Sequence, residues 1–371
     1  MHLERETILA SYGWSEGCAE AARAPGYEGL EPARVLETRR GAWTVLAAGD
    51  SGPEELEATV AGRLLHEAAA QADLPATGDW VLIRRSGPGA AVIQTVLPRR
   101  SKFSRKRPGE TERDRIDEQV IAANVDYAFI VGAAGKDWNP RRAERYLTLA
   151  WESGAQPVLV ITKADLAEDL EALLSEAVEA APGAPVVAVC AREGWGLEGL
   201  DPYLAPGKTA VLLGSSGTGK STLLNALAGS ELQRVQDVRA DDHRGRHTTT
   251  TRTLFRLPSG ALVIDTPGLR EIQLWADGQA VDSSFADIEA YAESCRFRDC
   301  SHDGEPGCAV RAAVEAGDLS EDRVESWRKL RREVEYLERR GDPVAAAAAR
   351  AVWKSRSKAV RAYDKATRGL R

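Results

Sequence analysis

The chain has 371 residues, which is too long for one hydrophobic core and suits two or three domains. Its 43% hydrophobic and 28% charged residues are typical of a globular protein, and no apolar run reaches the roughly eighteen residues of a membrane-spanning helix. The net charge of −7 argues weakly against a nucleic-acid partner, and the acidic first residues lack the parts of a secretory signal, so we expect a cytoplasmic protein without membrane contact.

Residues 33–98 are predicted to form a small β-barrel, after an N-terminal extension over residues 1–32. Short strand-like runs follow one another here, and Gly, Pro and Asp separate them. The runs are ARVLET, AWTVLAA, EATVAG, DWVLIRR and AAVIQTVLP. Several short strands at this spacing favour a barrel.

A basic segment follows the predicted barrel. Residues 99–118 begin with RRSKFSRKR, then become mixed in charge, and have almost no apolar periodicity. The pattern predicts a basic linker or mobile loop, and its first residues could contact phosphates.

Residues 119–278 alternate between apolar runs and helical patterns. The predicted strands are VDYAFIVGA, PVLVITKA, PVVAVCA and TAVLLGS, and the predicted helices between the first three are NPRRAERYLTLAWESG and DLEALLSEAVEAA. Alternating strands and helices predict a parallel sheet that is covered on both faces. We therefore expect one α/β domain over this range.

The strongest motif is GSSGTGKS, residues 214–221, which follows a predicted strand and precedes the helical start TLLNALAG. This is the setting of a phosphate-binding loop, in which glycines turn backbone N–H groups toward phosphates at a helix N-terminus. Lys220 is predicted to reach the β- and γ-phosphates, and the Ser221 hydroxyl to bind Mg²⁺. The predicted nucleotide contacts of this loop are Gly214, Ser215, Ser216, Gly217, Thr218, Gly219, Lys220, Ser221 and Thr222.

Two further segments point to the γ-phosphate and its metal ion. LVIDTPG is a predicted strand that ends at Asp265, which can hold a Mg²⁺-bound water, and Gly268 follows with an N–H that can contact the γ-phosphate. GRHTTTTR, residues 245–252, lies between the phosphate loop and this strand, and that position favours a switch loop. One threonine of the run is expected to close onto Mg²⁺ and the γ-phosphate, and we assign that role to Thr249.

A base-recognition motif comes about fifty residues before the phosphate loop. PVLVITKADL ends a predicted strand with Thr162, Lys163, Ala164 and Asp165. The Asp165 carboxylate can accept two hydrogen bonds from the guanine N1–H and N2–H₂ edge, and the stem of Lys163 can cover one face of the base. VVAVCARE ends another strand, and Cys190-Ala191 stands where a Ser-Ala pair would place a backbone N–H on guanine O6. Ligands bind at the strand ends of such sheets, so the parts of a GTPase are predicted here in permuted order.

Three of the five cysteines cluster with a histidine in CRFRDCSHDGEPGC. Three thiolates and one imidazole can fill a tetrahedral Zn²⁺ shell with no open position, so we predict one structural zinc ion. Five cysteines in this arrangement do not suggest a disulfide framework, and Cys18 and Cys190 are expected to be ordinary thiols. The predicted ligands are Cys295, Cys300, His302 and Cys308.

These motifs, together with EQVIAANVDYAFIV and DTPGLRE, resemble the circularly permuted GTPases that mature the small ribosomal subunit, the RsgA or YjeQ family. The resemblance covers nearly the whole chain. It implies an N-terminal OB-type β-barrel, a circularly permuted P-loop α/β GTPase domain over residues 119–278, and a C-terminal zinc-binding α-helical domain over residues 279–371. It also implies that GTP is hydrolysed to GDP and phosphate with stimulation by the small subunit, whose late maturation the protein assists.

Two positions bear on the rate of hydrolysis. Ras-like enzymes orient the attacking water with a Gln just after Asp-x-x-Gly, and that position is Leu269 here. Leucine forms no hydrogen bond, so intrinsic hydrolysis is expected to be slow. His247 can position the water once a partner orders the loop, although it could equally contact only rRNA or solvent. Our candidate catalytic residues are therefore His247, Lys220 and Thr249.

The expected partners are GTP or GDP and the small ribosomal subunit with its rRNA. From Arg323 to Arg371, fifteen Lys and Arg residues stand against six Asp and Glu, and this basic tail fits either rRNA phosphates or a solvated helical face. An OB barrel binds nucleic acid through basic and aromatic side chains, but Trp43 and Trp80 could equally belong to its core. We expect the protein to be a monomer.

Two alternatives to a GTP hydrolase stay open at this point. A phosphate-loop kinase would need an acceptor site and a lid, and neither is recognisable in the sequence. A GTP-sensing, zinc-containing RNA-binding protein with negligible turnover is also compatible with Leu269.

Overall fold

The first domain is the predicted five-stranded barrel. Every predicted barrel strand is present in this computed structural model. The structure describes residues 2–39, 41–68, 70–106, 118–232, 252–266, 281–282, 284–298 and 300–341. The strands are β1 (Glu31–Arg39), β2 (Ala42–Ala48), β3 (Pro53–Val60), β4 (Trp80–Gly87) and β5 (Ala90–Val96). They pair in the order β1-β2-β3-β5-β4, and β4 returns to β1, which closes the barrel. Helix α3 (Gly62–Glu67) lies between β3 and β4, as in an OB fold.

Both barrel tryptophans belong to the core. Trp80 is 1% exposed, and its ring meets the ring of Trp14 edge-on at a centroid distance of 4.7 Å. Trp43 is 8% exposed, and its indole Nε1–H donates to the Pro75 carbonyl at 2.9 Å. Neither side chain is available to stack on a base, so the ambiguity at these two positions is resolved in favour of packing.

The N-terminal extension is folded and contains two helices. It forms α1 (His2–Ala10) and α2 (Glu16–Ala22), and α2 is capped by the Ser15 hydroxyl, which accepts from the Cys18 N–H. Leu9, Cys18 and Trp80 pack in one small core, so these helices cover the outside of the barrel. The sequence suggested no structure here because each helix is shorter than the length that makes helical periodicity recognisable.

Part of the predicted basic linker is a β-strand. β6 (Lys102–Lys106) pairs antiparallel with β7 (Glu118–Ala123), and Phe103 is buried in the α/β core. One apolar residue in a five-residue strand gives no periodic signal, because the partner strand supplies most of the buried side chains. Residues 107–117 lie outside the described part.

The second domain is an α/β domain, as predicted, and its sheet has six strands. Its elements in chain order are β8 (Tyr127–Ala133), α4 (Pro140–Ser153), β9 (Gln156–Thr162), α5 (Leu170–Ala180), β10 (Val186–Ala188), β11 (Thr209–Leu213), α6 (Lys220–Ala228), β12 (Arg252–Arg256) and β13 (Leu262–Asp265). The strand order is β10-β9-β8-β11-β13-β12, and only β12 runs antiparallel to its neighbour. The buried strands are rich in Val, Ile and Leu because both faces of a parallel sheet are covered.

The barrel and the α/β sheet are joined edge to edge. β1 pairs antiparallel with β12, with Glu37 opposite Thr253 and Thr38 opposite Arg252, so the two sheets form one eleven-stranded sheet. The Thr77 hydroxyl donates to the Arg252 carbonyl at 3.1 Å, which adds a barrel contact at the first residue of β12. The strand that follows the predicted switch loop is thus anchored on the barrel.

A buried arginine fills the junction of the first two domains. Arg34 of β1 is fully buried and donates to the Thr209 hydroxyl at 2.9 Å, to the Asn124 carbonyl at 3.3 Å and to the Tyr12 carbonyl. Burial lowers the pKa of Arg34 to about 10, so the guanidinium is still charged at neutral pH. Its hydrogen bonds connect the N-terminal helices, the barrel and the α/β sheet.

The C-terminal part is helical and packs on helix α4. Among the described residues, its helices include α7 (Ala286–Ala292), α8 (Ala309–Ala316) and α9 (Glu321–Gly341). The Arg323 guanidinium forms a two-pronged ion pair with Asp287 at 2.7 and 2.8 Å and also donates to Glu144 of α4 at 2.9 Å. Glu144 is 4% exposed and accepts from the Ser326 hydroxyl at 2.5 Å. Within the described residues, no helix has the length and apolar content to span a bilayer.

Candidate nucleotide-binding site and metal centre

The phosphate loop has the predicted setting, between the end of β11 and the start of α6. Gly214 has φ 150°, and a Cβ there would lie 2.4 Å from the Val131 carbonyl oxygen, so only glycine fits. Gly219 precedes α6 with φ 88°, a left-handed conformation that most side chains avoid. The loop backbone can therefore wrap a phosphate at the helix N-terminus.

Lys220 lies across the loop. Its Nζ donates to the carbonyls of Gly214 at 2.8 Å and Ser215 at 2.6 Å. Across the same turn, the Thr218 hydroxyl donates to the Ser215 carbonyl at 2.9 Å. These contacts place the ammonium group over the loop, where phosphate oxygens of a nucleotide can replace the carbonyls as its partners.

Thr162 connects the base-recognition segment to the phosphate loop. It is the last residue of β9 and is 2% exposed. Its hydroxyl lies 2.5 Å from the Thr218 carbonyl and 3.1 Å from the Gly132 carbonyl, and its proton can be donated to either. This contact between the two segments emerges only in the fold.

The rest of the base-recognition segment is held by an unusual backbone conformation. Lys163 has φ 53° and ψ 37°, in the left-handed region that few residues other than glycine adopt. Ala164 is buried, and its N–H donates to the Val189 carbonyl at 3.2 Å. Asp165 follows in a short 3₁₀ helix, and its side chain is exposed. The strain at Lys163 turns the chain so that Asp165 faces outward at the edge of the sheet.

The structure brings Asp165 and Cys190 together, although they are separated by helix α5. The Cys190 thiol is hydrogen-bonded to the Asp165 carboxylate, and this bond, followed by burial, raises the pKa of Cys190 above its usual range. Cys190 also exchanges backbone hydrogen bonds with Trp195, at 2.9 and 3.2 Å, which closes a tight loop over Ala191. A carboxylate and a loop of N–H groups at one sheet edge can read a purine that has both donors and an acceptor, as guanine has.

Asp265 ends β13 at the same edge of the sheet as the phosphate loop. It lies opposite Leu212 in the parallel pairing of β11 and β13, and it is 6% exposed. Burial raises the pKa of Asp265, while the positive charge of Lys220 lowers it in part. A buried carboxylate beside a phosphate loop is a suitable group for a Mg²⁺-bound water.

One contact to the phosphate loop was not predicted. Tyr146 of α4 is 6% exposed, and its hydroxyl is hydrogen-bonded to Ser215. Burial raises the pKa of Tyr146, so the phenol stays protonated at neutral pH. No sequence signal separates this tyrosine from the other core residues of α4, because it occupies an ordinary position on the buried face.

Several predicted site residues lie outside the described part of the chain. They are His247, Thr249, Gly268 and Leu269. Their roles in the switch loop and after Asp265 stay predictions.

The four predicted metal ligands converge. Their ligand atoms all lie within 4.8 Å of one another, so the group can hold a metal ion. The His302 Nδ1 lies 3.5 Å from the Cys295 sulfur and 3.4 Å from the Cys308 sulfur, and the two sulfurs are 4.0 Å apart. Burial raises the pKa of Cys300 to about 12, with a further contribution from the neighbouring thiols. A bound cation would remove this penalty by making thiolates favourable.

The surrounding backbone supports thiolate ligands. Backbone N–H groups of Ala309 and Arg311 donate to the sulfurs of Cys295 and Cys308, at 3.3 and 3.4 Å. Cys308 also caps the N-terminus of α8, where the helix dipole favours negative charge. His302 has φ 60°, and its ring packs against Trp327 at 5.3 Å. The group is therefore positioned by α8 and α9 as well as by its own loop.

Strand order defines the class of protein. β11, which leads into the phosphate loop, lies between β8 and β13 in the sheet, yet β8, β9 and β10 precede it in the chain. The base-recognition strand ends therefore come before the phosphate loop in sequence and beside it in space. This is the arrangement of a circularly permuted phosphate-loop GTPase.

Comparison with known proteins gives the family. The family model described as RsgA GTPase matches residues 96–275. Two relatives named small ribosomal subunit biogenesis GTPase RsgA match nearly end to end. The one from Opitutus terrae is 46% identical over 96% of this chain and 98% of its own length, and the one from Streptomyces coelicolor is 44% identical over 98% and 96%. The chain belongs to the RsgA GTPase family and is a P-loop GTP hydrolase.

Solved structures agree on the architecture. YjeQ from Thermotoga maritima superposes with a TM-score of 0.59 at 27% identity, over 82% of this chain and 98% of that one. YloQ, described as a circularly permuted GTPase, has the same TM-score at 26% identity, over 85% and 98%. The N-terminal barrel, permuted GTPase domain and C-terminal metal-site region predicted from the sequence are thus confirmed.

Proposed function

We propose that this protein binds the small ribosomal subunit during its late maturation in the cytoplasm, and hydrolyses GTP to GDP and phosphate faster when bound. The supporting observation is that relatives named for this role match almost the whole chain, including the barrel and the metal cluster. The groups that would bind the nucleotide lie together at one edge of the sheet. They are Thr162, Asp165, Cys190 and Lys220.

We assign the residue roles in the nucleotide site from the sequence motifs and, for the described residues, from this arrangement. Asp165 accepts from guanine N1–H and N2–H₂, and the Ala191 N–H donates to O6. Lys220 moves from the loop carbonyls to the β- and γ-phosphates. Ser221, Thr249 and Asp265 hold Mg²⁺ and its water, and Gly268 contacts the γ-phosphate.

Water positioning is assigned to His247. Leu269 leaves the usual glutamine position without a hydrogen-bonding group, so hydrolysis by the free enzyme is slow. The predicted switch loop, which contains His247, precedes β12 in the chain, and β12 is held by the barrel through β1 and Thr77. A subunit that orders this loop would bring the imidazole to the γ-phosphate.

The metal bound by the cysteine cluster is assigned as zinc. Three thiolates and one imidazole nitrogen suit Zn²⁺, and four protein ligands leave no open position for a substrate. The ion is therefore structural, one per chain, and holds the turns between α7 and α8.

The proposed domain boundaries are 1–32, 33–98, 99–118, 119–278 and 279–371. Because Trp43 and Trp80 are buried, we assign rRNA contact to basic groups of residues 99–107 and 323–371 rather than to stacking on the barrel. The protein acts as a monomer and has no membrane partner.

Steady-state GTPase rates with and without purified small subunits test the proposal. We expect the protein to hydrolyse GTP with slow multiple turnover when no subunits are present. Small subunits should stimulate the rate strongly, and large subunits should not. The alternative of a GTP sensor with negligible turnover is compatible with Leu269, and it predicts no multiple turnover under either condition. Binding of small subunits without stimulation would support that alternative.

A further inference from the structure

The loop between the first two metal ligands presents an exposed aromatic ring. Phe297 is 42% exposed, and it is one of two aromatic side chains among the exposed large hydrophobic residues of the described part, with Trp195. Its neighbours Arg296 and Arg298 are exposed as well, and the Arg296 guanidinium lies over the Phe297 ring at 5.5 Å. An exposed ring between two cations buries little apolar surface, so packing does not account for it. The same arrangement suits an anionic ligand that has flat groups.

The loop is held firmly at both ends. Cys295 and Cys300 belong to the metal cluster and fix the chain on either side of the ring. The Arg296 N–H donates to the Gly307 carbonyl at 3.1 Å, and a Cβ on Gly307 would lie 3.1 Å from the Arg296 Cβ. The turn at Gly307 therefore lies directly against Arg296. A ring that is already positioned loses little conformational entropy on binding.

Two acidic groups near this loop, Glu305 and Asp303, have partners other than the two arginines. Both oxygens of Glu305 are taken by backbone and hydroxyl donors of Ser301 and Asp303, which lowers the pKa of Glu305 to about 2. Asp303 lies 3.9 Å from the Arg328 guanidinium. Arg298 is exposed, and no ion pair for it is found among the described residues.

We propose that the loop Arg296-Phe297-Arg298 binds an unpaired nucleotide of RNA, with the base stacked on Phe297 and the flanking phosphates on the two arginines. This proposal rests on the proposed function, because the RNA would be that of the small subunit. Single-stranded RNA fits because every base has a flat face and each nucleotide carries one negative charge. Paired RNA hides its base faces in the helix and offers only phosphates to this loop.

The test uses the full-length protein with zinc bound and a short single-stranded RNA that carries 2-aminopurine. The wild type should quench the fluorescence of the probe because the base stacks on the ring. Phe297→Ala should abolish the quenching and weaken binding by about 5- to 100-fold, the loss of one base stack. Phe297→Tyr should behave as the wild type, whereas Phe297→Leu keeps apolar bulk but should lose the quenching.

Two controls separate stacking from damage to the fold. Leu65→Ala removes another exposed apolar side chain, on the barrel helix α3, and should leave RNA binding unchanged. Each variant should retain one equivalent of zinc, which elemental analysis measures. The proposal would be overturned if Phe297→Ala kept its zinc and bound the RNA with full affinity. It would also be overturned if the wild type bound the same RNA equally well after it is annealed to its complement.

The outcome on whole small subunits distinguishes this proposal from the proposed function. If Phe297→Ala weakens docking on the subunit but not binding of the isolated RNA, the loop contacts a ribosomal protein and the RNA proposal is wrong. If the wild type does not bind small subunits with any nucleotide, the proposed function fails, whatever the result with the probe. Parallel losses on RNA and on subunits in Phe297→Ala support both.

Discussion

At the scale of single residues, the nucleotide site depends on short polar contacts between segments that are distant in the chain. Thr162 reaches Thr218, and Cys190 reaches Asp165. These contacts join the end of β9, the loop after β10 and the phosphate loop. The base and phosphate halves of the site are therefore expected to respond together to single substitutions.

Asp165→Asn is expected to weaken GTP binding by more than about tenfold. The substitution replaces an acceptor oxygen by an amide, and a lost charge-assisted hydrogen bond costs on the order of 1.5–3 kcal/mol. Xanthosine triphosphate should gain affinity, because its base carries an acceptor in place of the guanine amino group. Titration calorimetry measures both nucleotides, and Glu168→Gln, an exposed carboxylate in the next turn, is the matched control. Unchanged affinity for GTP in Asp165→Asn would remove this residue from the site.

Thr162→Val should lower GTP affinity by breaking the contact between the base-recognition segment and the phosphate loop. The change keeps the shape but removes the hydroxyl that donates to the Thr218 or Gly132 carbonyl, and an unsatisfied buried group costs about 1–3 kcal/mol. We expect an affinity loss of at least several fold, with Thr162→Ser close to the wild type. If the Thr162→Val variant binds GTP as tightly as the wild type does, the two segments are not coupled through this hydroxyl.

At the scale of elements, helix α4 lies between the phosphate loop and the C-terminal helices. Tyr146 contacts Ser215 on one side, and Glu144 contacts Arg323 and Ser326 on the other. The burial of Glu144 raises the pKa of its carboxyl group, which shows that its partners only partly offset the loss of water. The C-terminal region is thus held to the GTPase domain by a buried polar network, where the removal of one partner leaves an uncompensated charge.

Arg323→Met is expected to destabilise the protein by roughly 3–5 kcal/mol, because Glu144 would stay buried without its cation. Urea unfolding followed by tryptophan fluorescence reports on this region through Trp327. The matched control is Arg63→Met, which breaks an exposed pair with Glu67 in α3 and should cost less than about 1 kcal/mol. Equal effects of the two substitutions would contradict the assigned role of the network.

Removal of the metal should affect the C-terminal helices and spare the nucleotide site. One zinc per chain should co-purify, and Cys300→Ser should lose it because a serine hydroxyl is a poor zinc ligand. The affinity for GTP should stay near that of the wild type, since the site is built on β9, β10 and β11. Cys18→Ser, outside the cluster, should keep the metal. A native protein that elemental analysis finds free of metal would contradict this prediction.

At the scale of the whole molecule, the barrel and the C-terminal helices meet the GTPase domain at different places. The barrel is joined at β12, next to the predicted switch loop, and the C-terminal helices are joined at α4, next to the phosphate loop. A ribosomal partner that contacts both parts could therefore influence both sides of the γ-phosphate. The proposed stimulation by small subunits could act through these two connections.

His247→Ala should abolish most of the stimulation by small subunits while basal hydrolysis and GTP affinity change little. The histidine is proposed to act only after the loop is ordered, and a lost water-positioning group is worth roughly 10²-fold or more. Rates must be measured with the protein fully bound to subunits, and binding of the GTP-analogue form must be measured separately. Ser221→Ala, by contrast, should lower hydrolysis with and without subunits. A docked His247→Ala enzyme with full stimulation would show that another group places the water.

The sequence by itself determined the barrel strands, the alternating strands and helices of the GTPase domain, the phosphate loop, the base motif and the cluster of metal ligands. These are local signals, since glycine spacing, strand periodicity and Cys/His spacing can each be read within about twenty residues. The order of the motifs also indicated the permutation. By contrast, β6, the N-terminal helices and the burial of Trp43 and Trp80 were decided by packing against partners elsewhere in the chain.

Only the tertiary structure decided which distant groups meet. Arg34 and Thr209 are 175 residues apart, Arg323 and Glu144 are 179 apart, and Thr162 and Thr218 are 56 apart. A hydrogen bond or ion pair depends on distances of about 3 Å, and a single sequence carries no information on distance between separate elements. The fold class and the motifs of the site can therefore be predicted from local sequence. The contacts that couple the parts of the site form only when the strands and helices are assembled.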